Sequence, residues 1–186
     1  TGWIDGVQVG MAYDDTYTTG PAGFGTTEWK PAQFDNLSIT AAVAQPMAIE
    51  SGKIYTLVSV YSNKALDNYN TSNDGTNAGQ YTTGTGTTQK WKVTSVGSGY
   101  YTLVNQLSNK ALDNANTTAA GAHTLQWAIN GGTQQNWKLI NVGGNVFTLQ
   151  SQRSNLFLDN GSSMANGQTI VQQPATNGAS QQWIIK

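Results

Sequence analysis

The 186-residue sequence predicts an all-β fold with threefold internal repetition, and three observations carry that prediction. Tryptophans stand at Trp91, Trp137 and Trp183, 46 residues apart. Each closes a Gln-X-Trp triplet: Gln89-Lys90-Trp91, Gln135-Asn136-Trp137 and Gln181-Gln182-Trp183. Sliding the sequence by that period superposes Ile49 to Lys186 on itself without a gap, as units 49–94, 95–140 and 141–186. Thr56, Leu57, Ser62, Asn63, Leu66, Asp67, Asn68, Gly75, Gln80, Gly86, Gln89 and Trp91 recur unchanged in the other two units. A fixed period of this length marks one supersecondary unit copied around a shared core.

Each unit reads as four short strands. The first, Tyr55-Thr56-Leu57-Val58 and its images at 101–104 and 147–150, is rich in aromatic and β-branched residues and alternates as a half-buried strand does. A Ser-Asn turn leads to the second, Lys64-Ala65-Leu66-Asp67, repeated at 110–113 and 156–159. A Gly-containing polar loop precedes a third strand around Gln80, Gln126 and Gln172. The fourth contains the Gln-X-Trp triplet and runs on, as in Trp137-Lys138-Leu139-Ile140. Twelve closely spaced strands fit a barrel or sandwich. A propeller repeats at a similar length but typically needs at least about four blades, so three units predict a β-trefoil.

Composition narrows the partners. A tenth of the residues are charged, and nine Lys and Arg stand against ten Asp and Glu. The cations are scattered, so the basic face of a nucleic-acid binder is missing. No apolar run approaches the ~18 residues of a membrane span. There is no cysteine, so disulfides neither support the fold nor report a compartment. The neutral, amide-rich and hydroxyl-rich make-up suits a secreted or extracellular protein, and Thr1 is expected to be a cut end rather than a natural start.

The acids are placed unevenly. Asp5, Asp14, Asp15, Glu28 and Asp35 fall in residues 1–48, and Glu50 lies at the junction. The repeats hold only Asp67, Asp74, Asp113 and Asp159, of which Asp67, Asp113 and Asp159 share one repeat position. Leu57, Leu66, Trp91 and their images read as core, and each triplet glutamine as satisfying buried backbone beside its tryptophan. The aspartates admit two readings. An Asp ending a strand can cap the following turn, yet Asn68, Asn114 and Asn160 suit that task without a charge. What a carboxylate adds is charge-assisted hydrogen bonding, which points to a ligand.

Three Gln-X-Trp repeats, each with Leu-Asp upstream and an Asn/Gly-rich loop between, resemble the ricin-type β-trefoil lectins and family 13 carbohydrate-binding modules over residues 49–186. The resemblance implies up to one sugar pocket per unit. In each, the Asp accepts hydrogen bonds from sugar hydroxyls, an aromatic of the third strand stacks on the sugar ring, and a polar side chain near the triplet completes the contacts. Carried over by position, the second unit offers Asp113, Trp127 and Gln134, with Asn130 nearby. The first offers Asp67, Tyr81 and Thr88. The third keeps Asp159 with Ser180 but has Gln173 where the aromatic belongs, so it is expected to be weak.

Residues 1–39 lack the repeat. Trp3–Val9 reads as a strand, Thr18–Gly25 as a turn-rich stretch and Ala32–Ile39 as a closing strand. Gly23-Phe24-Gly25 followed by Ala32-Gln33-Phe34-Asp35-Asn36-Leu37-Ser38-Ile39 resembles the last strands of a laminin-G-like sandwich, as in galactocerebrosidase-like enzymes of glycoside hydrolase family 59. Residues 1–39 would then be an incomplete β-sandwich and 40–48 a linker. The chain would be the non-catalytic tail of a glycosidase acting on galactose-containing glycans, with the catalytic part of the same precursor as a partner. Asp14, Asp15 and Asp35 offer the oxygen ligands of a calcium ion, and no other cofactor is expected.

Catalysis by this chain is not expected. A glycosidase sets two carboxylates roughly 5–10 Å apart, whereas threefold repetition separates Asp67, Asp113 and Asp159. His123, the lone histidine, sits in a polar loop without a nucleophile constellation. The rival reading is a protein-binding trefoil scaffold or inhibitor with no sugar site, since fold alone does not fix function. Aspartates paired with aromatics argue against it.

Overall fold

The computed structural model describes Gly2–Ile4, Val7–Gly10 and residues 46–186. The chain divides into two units, Thr1–Ala41 and Ala42–Lys186. In the first, β1 (Gly2–Ile4) and β2 (Val7–Gly10) pair antiparallel with Ile4 opposite Val7. The stretch Trp3–Val9, expected as one strand, is therefore a hairpin. The turn-rich stretch 18–25, the closing strand 32–39, the candidate calcium ligands Asp14, Asp15 and Asp35, and linker residues 40–45 all lie outside the described residues.

The second unit is a β-trefoil. Its first repeat contains β3 (Ile54–Tyr55), β4 (Leu57–Ser59), β5 (Lys64–Asp67), β6 (Gly79–Thr82) and β7 (Trp91–Gly97). The second contains β8 (Tyr100–Asn105), β9 (Ala111–Asp113), β10 (Leu125–Trp127) and β11 (Trp137–Gly143). The third contains β12 (Val146–Ser151), β13 (Phe157–Asp159), β14 (Val171–Gln173) and β15 (Trp183–Ile185). β3 and β4 are one strand broken at Thr56, which instead exchanges backbone hydrogen bonds with Lys186 at 2.8 and 3.1 Å. β3 pairs with β7, and the ring continues through β8, β11, β12 and β15 back to β4. This closes a six-stranded antiparallel barrel and leaves it no open edge. The hairpins β5–β6, β9–β10 and β13–β14 hang from the barrel and are bridged in a second ring at Asn77–Leu125, His123–Val171 and Gly79–Thr169.

The sequence explains each element. Leu57, Leu66 and Trp91 and their images are fully buried, and burial of side chains this size is worth about 2 kcal/mol each. A buried indole N–H needs an acceptor. Trp91, Trp137 and Trp183 donate to the carbonyls of Leu66, Leu112 and Leu158 at 3.1, 3.0 and 3.2 Å, which fastens each fourth strand to the residue preceding the repeated Asp. The triplets do not lie wholly within strands as expected. Each glutamine ends a 3-10 turn (Thr87–Gln89, Thr133–Gln135, Ala179–Gln181), and the strand begins at the tryptophan. Asn63, Asn109 and Asn155 turn between first and second strands at φ 56–59°, a left-handed conformation that Asn tolerates. Met47, assigned by sequence to the linker, donates its amide to Gly144 at 2.9 Å and packs with Ile49 against the core.

The repeats are also tied to one another by buried polar side chains. Asn68 donates to Gln126, Asn114 to Gln172 and Asn160 to Gln80, at 3.2–3.3 Å. These glutamines donate in turn to loop carbonyls of the preceding repeat: Gln126 to Thr71 and Asn73, Gln172 to Asn114 and Thr117, Gln80 to Ser163 and Ala165. The loop backbone follows: Gly75, Gly121 and Gly167 donate to the carbonyls of Gln126, Gln172 and Gln80 at 2.8–3.0 Å. Their φ of 78–82° is the left-handed region in which glycine carries no Cβ penalty.

Candidate functional site

The repeated aspartates end the second strands β5, β9 and β13 and are almost fully buried. Both readings of them describe part of the geometry. One carboxylate oxygen caps the local turn: Asp67 Oδ1 accepts the Tyr69 amide and Asp159 Oδ1 the Gly161 amide, both at 2.7 Å. The other is pinned from the triplet. Asp67 Oδ2 accepts from Gln89 Nε2 at 2.8 Å and Thr88 Oγ1 at 3.2 Å. Asp113 Oδ2 accepts from Gln135 Nε2 at 3.0 Å, and Asp159 Oδ2 from Ser180 Oγ at 3.2 Å. The triplet glutamine therefore fixes the carboxylate in two repeats as well as satisfying backbone.

In the second repeat these residues line a cavity of about 290 Å³ together: Asp113, Ala115, Asn116, Leu125, Trp127, Asn130 and Gln134. Trp127 ends β10 facing outward with 43 % of its surface exposed, although every triplet tryptophan is buried. It thus presents an apolar ring beside a buried carboxylate. Gln134 Nε2 donates to Asn130 Oδ1 at 3.1 Å, which also accepts the Gly132 amide at 2.9 Å. Burial pushes the Asp113 carboxyl above the ordinary carboxylate value, and hydrogen bonds from Gln135, Ala115 and Asn116 offset part of that rise. In the first and third repeats the Asn68 and Asn160 Oδ1 atoms accept the amides of Asn70 and Ser162. In the second repeat no amide takes that place, and Asn114 Oδ1 is buried without a partner.

The other repeats differ where the sequence differs. In the first, Tyr81 is outward with 49 % exposure, as its position predicts. Tyr69, where the second repeat has Ala115, lays its ring over Gly79 and donates its hydroxyl to the Gln168 carbonyl at 3.0 Å. A Cβ at Gly79 would overlap that ring, so the small residue there matches the large one opposite. Burial pushes the Tyr69 phenol up to about 12. In the third, Asp159, Gly161, Ser162, Gln173, Pro174, Thr176 and Ser180 line a cavity of about 380 Å³ without an aromatic ring.

Of the residues singled out in the sequence, Asp113, Trp127, Asn130 and Gln134 meet in one cavity. Asn116, Ala115 and Leu125 are additions. Asn116 was recoverable, since it lies in the Asx turn that follows the repeated Asp. A single carboxylate lines the second-repeat cavity, where glycoside cleavage by the usual mechanism takes two. Among the described residues no group of three His, Cys, Asp or Glu side chains gathers as a metal site, and no helix is long and apolar enough to cross a membrane.

The model of the ricin-type β-trefoil lectin domain-like family matches residues 43–127, 87–173 and 133–186. Among solved structures, the designed threefold-symmetric protein ThreeFoil is 36 % identical, with a TM-score of 0.69 over 71 % of this chain and 96 % of its own. An exo-β-1,3-galactanase from Clostridium thermocellum is 28 % identical with a TM-score of 0.70, over 74 % of this chain but only 31 % of the enzyme. The ricin B-like lectin of Macrolepiota procera, solved in complex with lactose, is 21 % identical with a TM-score of 0.65, over 75 % of this chain and 99 % of its own, a likeness of fold alone. No curated protein matches the sequence significantly.

Proposed function

We propose that this chain, which belongs to the ricin-type β-trefoil lectin domain-like family, binds galactose-containing glycans through the pocket of its second repeat. The observation that carries this reading is the outward Trp127 beside the buried Asp113 in one cavity. A pyranose has an apolar face and a polar rim. Trp127 stacks on the face, and Asp113, held by the Gln135 amide, offers its remaining lone pairs to ring hydroxyls. Gln134, Asn130 and Asn116 supply amides at the rim. A cavity near the small end of the roughly 300–1,000 Å³ typical of ligand sites fits one sugar ring better than a long chain. Asp67 with Tyr81 forms a second site, and Asp159 without an aromatic a weak third.

The galactose assignment draws support from the galactanase and from the lectin solved with lactose. The family's fold is carbohydrate-binding and non-catalytic, so the chain acts as an accessory module. Its similarity to under a third of the galactanase favours attachment to a secreted glycoside hydrolase. A protein-binding scaffold without a sugar site has no use for an exposed tryptophan beside a buried carboxylate. A glycan array probed with the chain tests the proposal: signal on galactose-terminated glycans is expected. Binding confined to glycans without galactose would overturn the sugar class, and no binding at all would overturn the function.

A further inference from the structure

We propose that Asp74, supplied by the first repeat, is a positioning residue for the second repeat's pocket, holding the segment that carries Trp127 and Asn130. This rests on the sugar-binding reading of that pocket. Asp74 Oδ1 accepts the Ala128 amide at 2.7 Å, immediately after Trp127 in the chain. It also pairs with Lys110 Nζ at 2.7 Å, just before β9, the strand that delivers Asp113. Next to it, Gly75 lies against the Trp127 ring, since a Cβ there would sit 3.4 Å from Cζ3. One side chain of the first repeat thus holds a residue flanking each of the two strands that build the second repeat's site.

The threefold symmetry provides an internal control. The images of Asp74 are Ala120 and Asn166, and the images of the amide at Ala128 belong to Pro174 and Thr82. Asn166 Oδ1 accepts the Thr82 amide at 2.9 Å and so braces the residue after Tyr81 in the same way. In the third repeat both halves are missing: Pro174 has no N–H to give and Ala120 no oxygen to receive it. The brace is present behind the two repeats that carry an aromatic, Trp127 and Tyr81, and lacking behind the one that carries Gln173. A bracing function predicts that distribution, because a stacking ring must be held at a fixed angle whereas a glutamine amide can adjust.

The test compares Asp74→Ala and Asp74→Asn in the full chain by NMR, titrating lactose and following Trp127 and Ala128 for the second site and Tyr81 for the first. Asp74→Ala should weaken the second site by at least about fivefold, the scale of losing one charge-assisted hydrogen bond, and leave the first unchanged. Asp74→Asn should recover most of that loss, because Asn166 already does the same work with an amide oxygen. Wild-type affinity in Asp74→Ala, equal losses in both variants, or equal weakening of both sites would overturn the proposal. If the wild type does not bind lactose, the sugar reading fails instead, and hydrogen exchange of the Ala128 amide decides. It should quicken in Asp74→Ala and stay slow in Asp74→Asn, and unchanged exchange in Asp74→Ala would overturn the brace.

Discussion

Asp113 is gripped by Gln135 and presents a buried charge to the pocket, and its protonation decides what it can bind. Burial raises its carboxyl above the ordinary 3.8, so it gains a proton at a pH where an exposed carboxylate is still charged. Protonation removes acceptor capacity for sugar hydroxyls. Lactose affinity at the second site should therefore fall as pH drops through a midpoint above 3.8, by about tenfold for each further unit. The sign for stability is opposite. A raised folded value favours the protonated form, so this contribution is present below 3.8 and lost as pH rises through the folded value. Acid thus weakens binding without unfolding the chain through this residue. Calorimetry from about pH 3 to 7 checks the profile, which should flatten in Asp113→Asn; a wild-type affinity that holds down through 3.8 contradicts it. The sequence alone led to Asp113, Trp127, Asn130 and Gln134, because their positions follow from the repeat. It did not lead to Asn116 or Tyr69, whose parts depend on which neighbours their turn brings near.

The repeat is the element that explains the polar residues shared by all three copies. Read along the chain, Asn68 and its images look like local turn residues and Gln80 and its images like strand residues. Folded, each asparagine reaches the glutamine of the next repeat, and each glutamine holds the preceding loop. That partnership was not legible in sequence, because it joins positions 58 or 80 apart and needs the barrel to bring them together. Gln126→Ala should remove its hydrogen bonds to the Thr71 and Asn73 carbonyls and the one it accepts from Asn68, and open a small void. A destabilisation of about 2–3 kcal/mol follows, the three lost hydrogen bonds being worth about 0.5–1.5 kcal/mol net each. Chemical denaturation measures it. A loss below about 0.5 kcal/mol would mean that water replaces the side chain and that the strut is dispensable. The glutamine of each triplet shows the same limit: its bond to backbone was legible, its grip on Asp67 or Asp113 was not.

At the scale of the whole molecule, the trefoil closes on itself through β15 against β4 and through Thr56 against Lys186. Residues 46–186 contain every strand of that ring, together with Met47 and Ile49, which pack on its core. Expressed alone they should fold cooperatively and keep the lactose affinity of the full chain, and a truncated chain that aggregates or loses binding contradicts that boundary. Ending it before Trp183 removes the closing strand and should prevent folding. Two competent sites on one rigid barrel, as proposed, also predict tighter binding to a galactose-rich polymer than to lactose, through effective concentration. The barrel was legible because a 46-residue period admits few closures. The N-terminal pairing was not, since Trp3–Val9 reads as one strand although β1 and β2 pair antiparallel.

Calorimetric titration of the chain with lactose, beside Trp127→Ala, bears most directly on the central claim. Trp127 is outward and outside the core cluster, so its removal should leave the thermal unfolding midpoint within a few degrees. Saturable binding in the wild type, weakened in Trp127→Ala by at least about fivefold, is predicted, since an aromatic contact of this kind is worth on the order of 1 kcal/mol beyond its buried area. No heat of binding in the wild type, or an identical isotherm in Trp127→Ala, would contradict it.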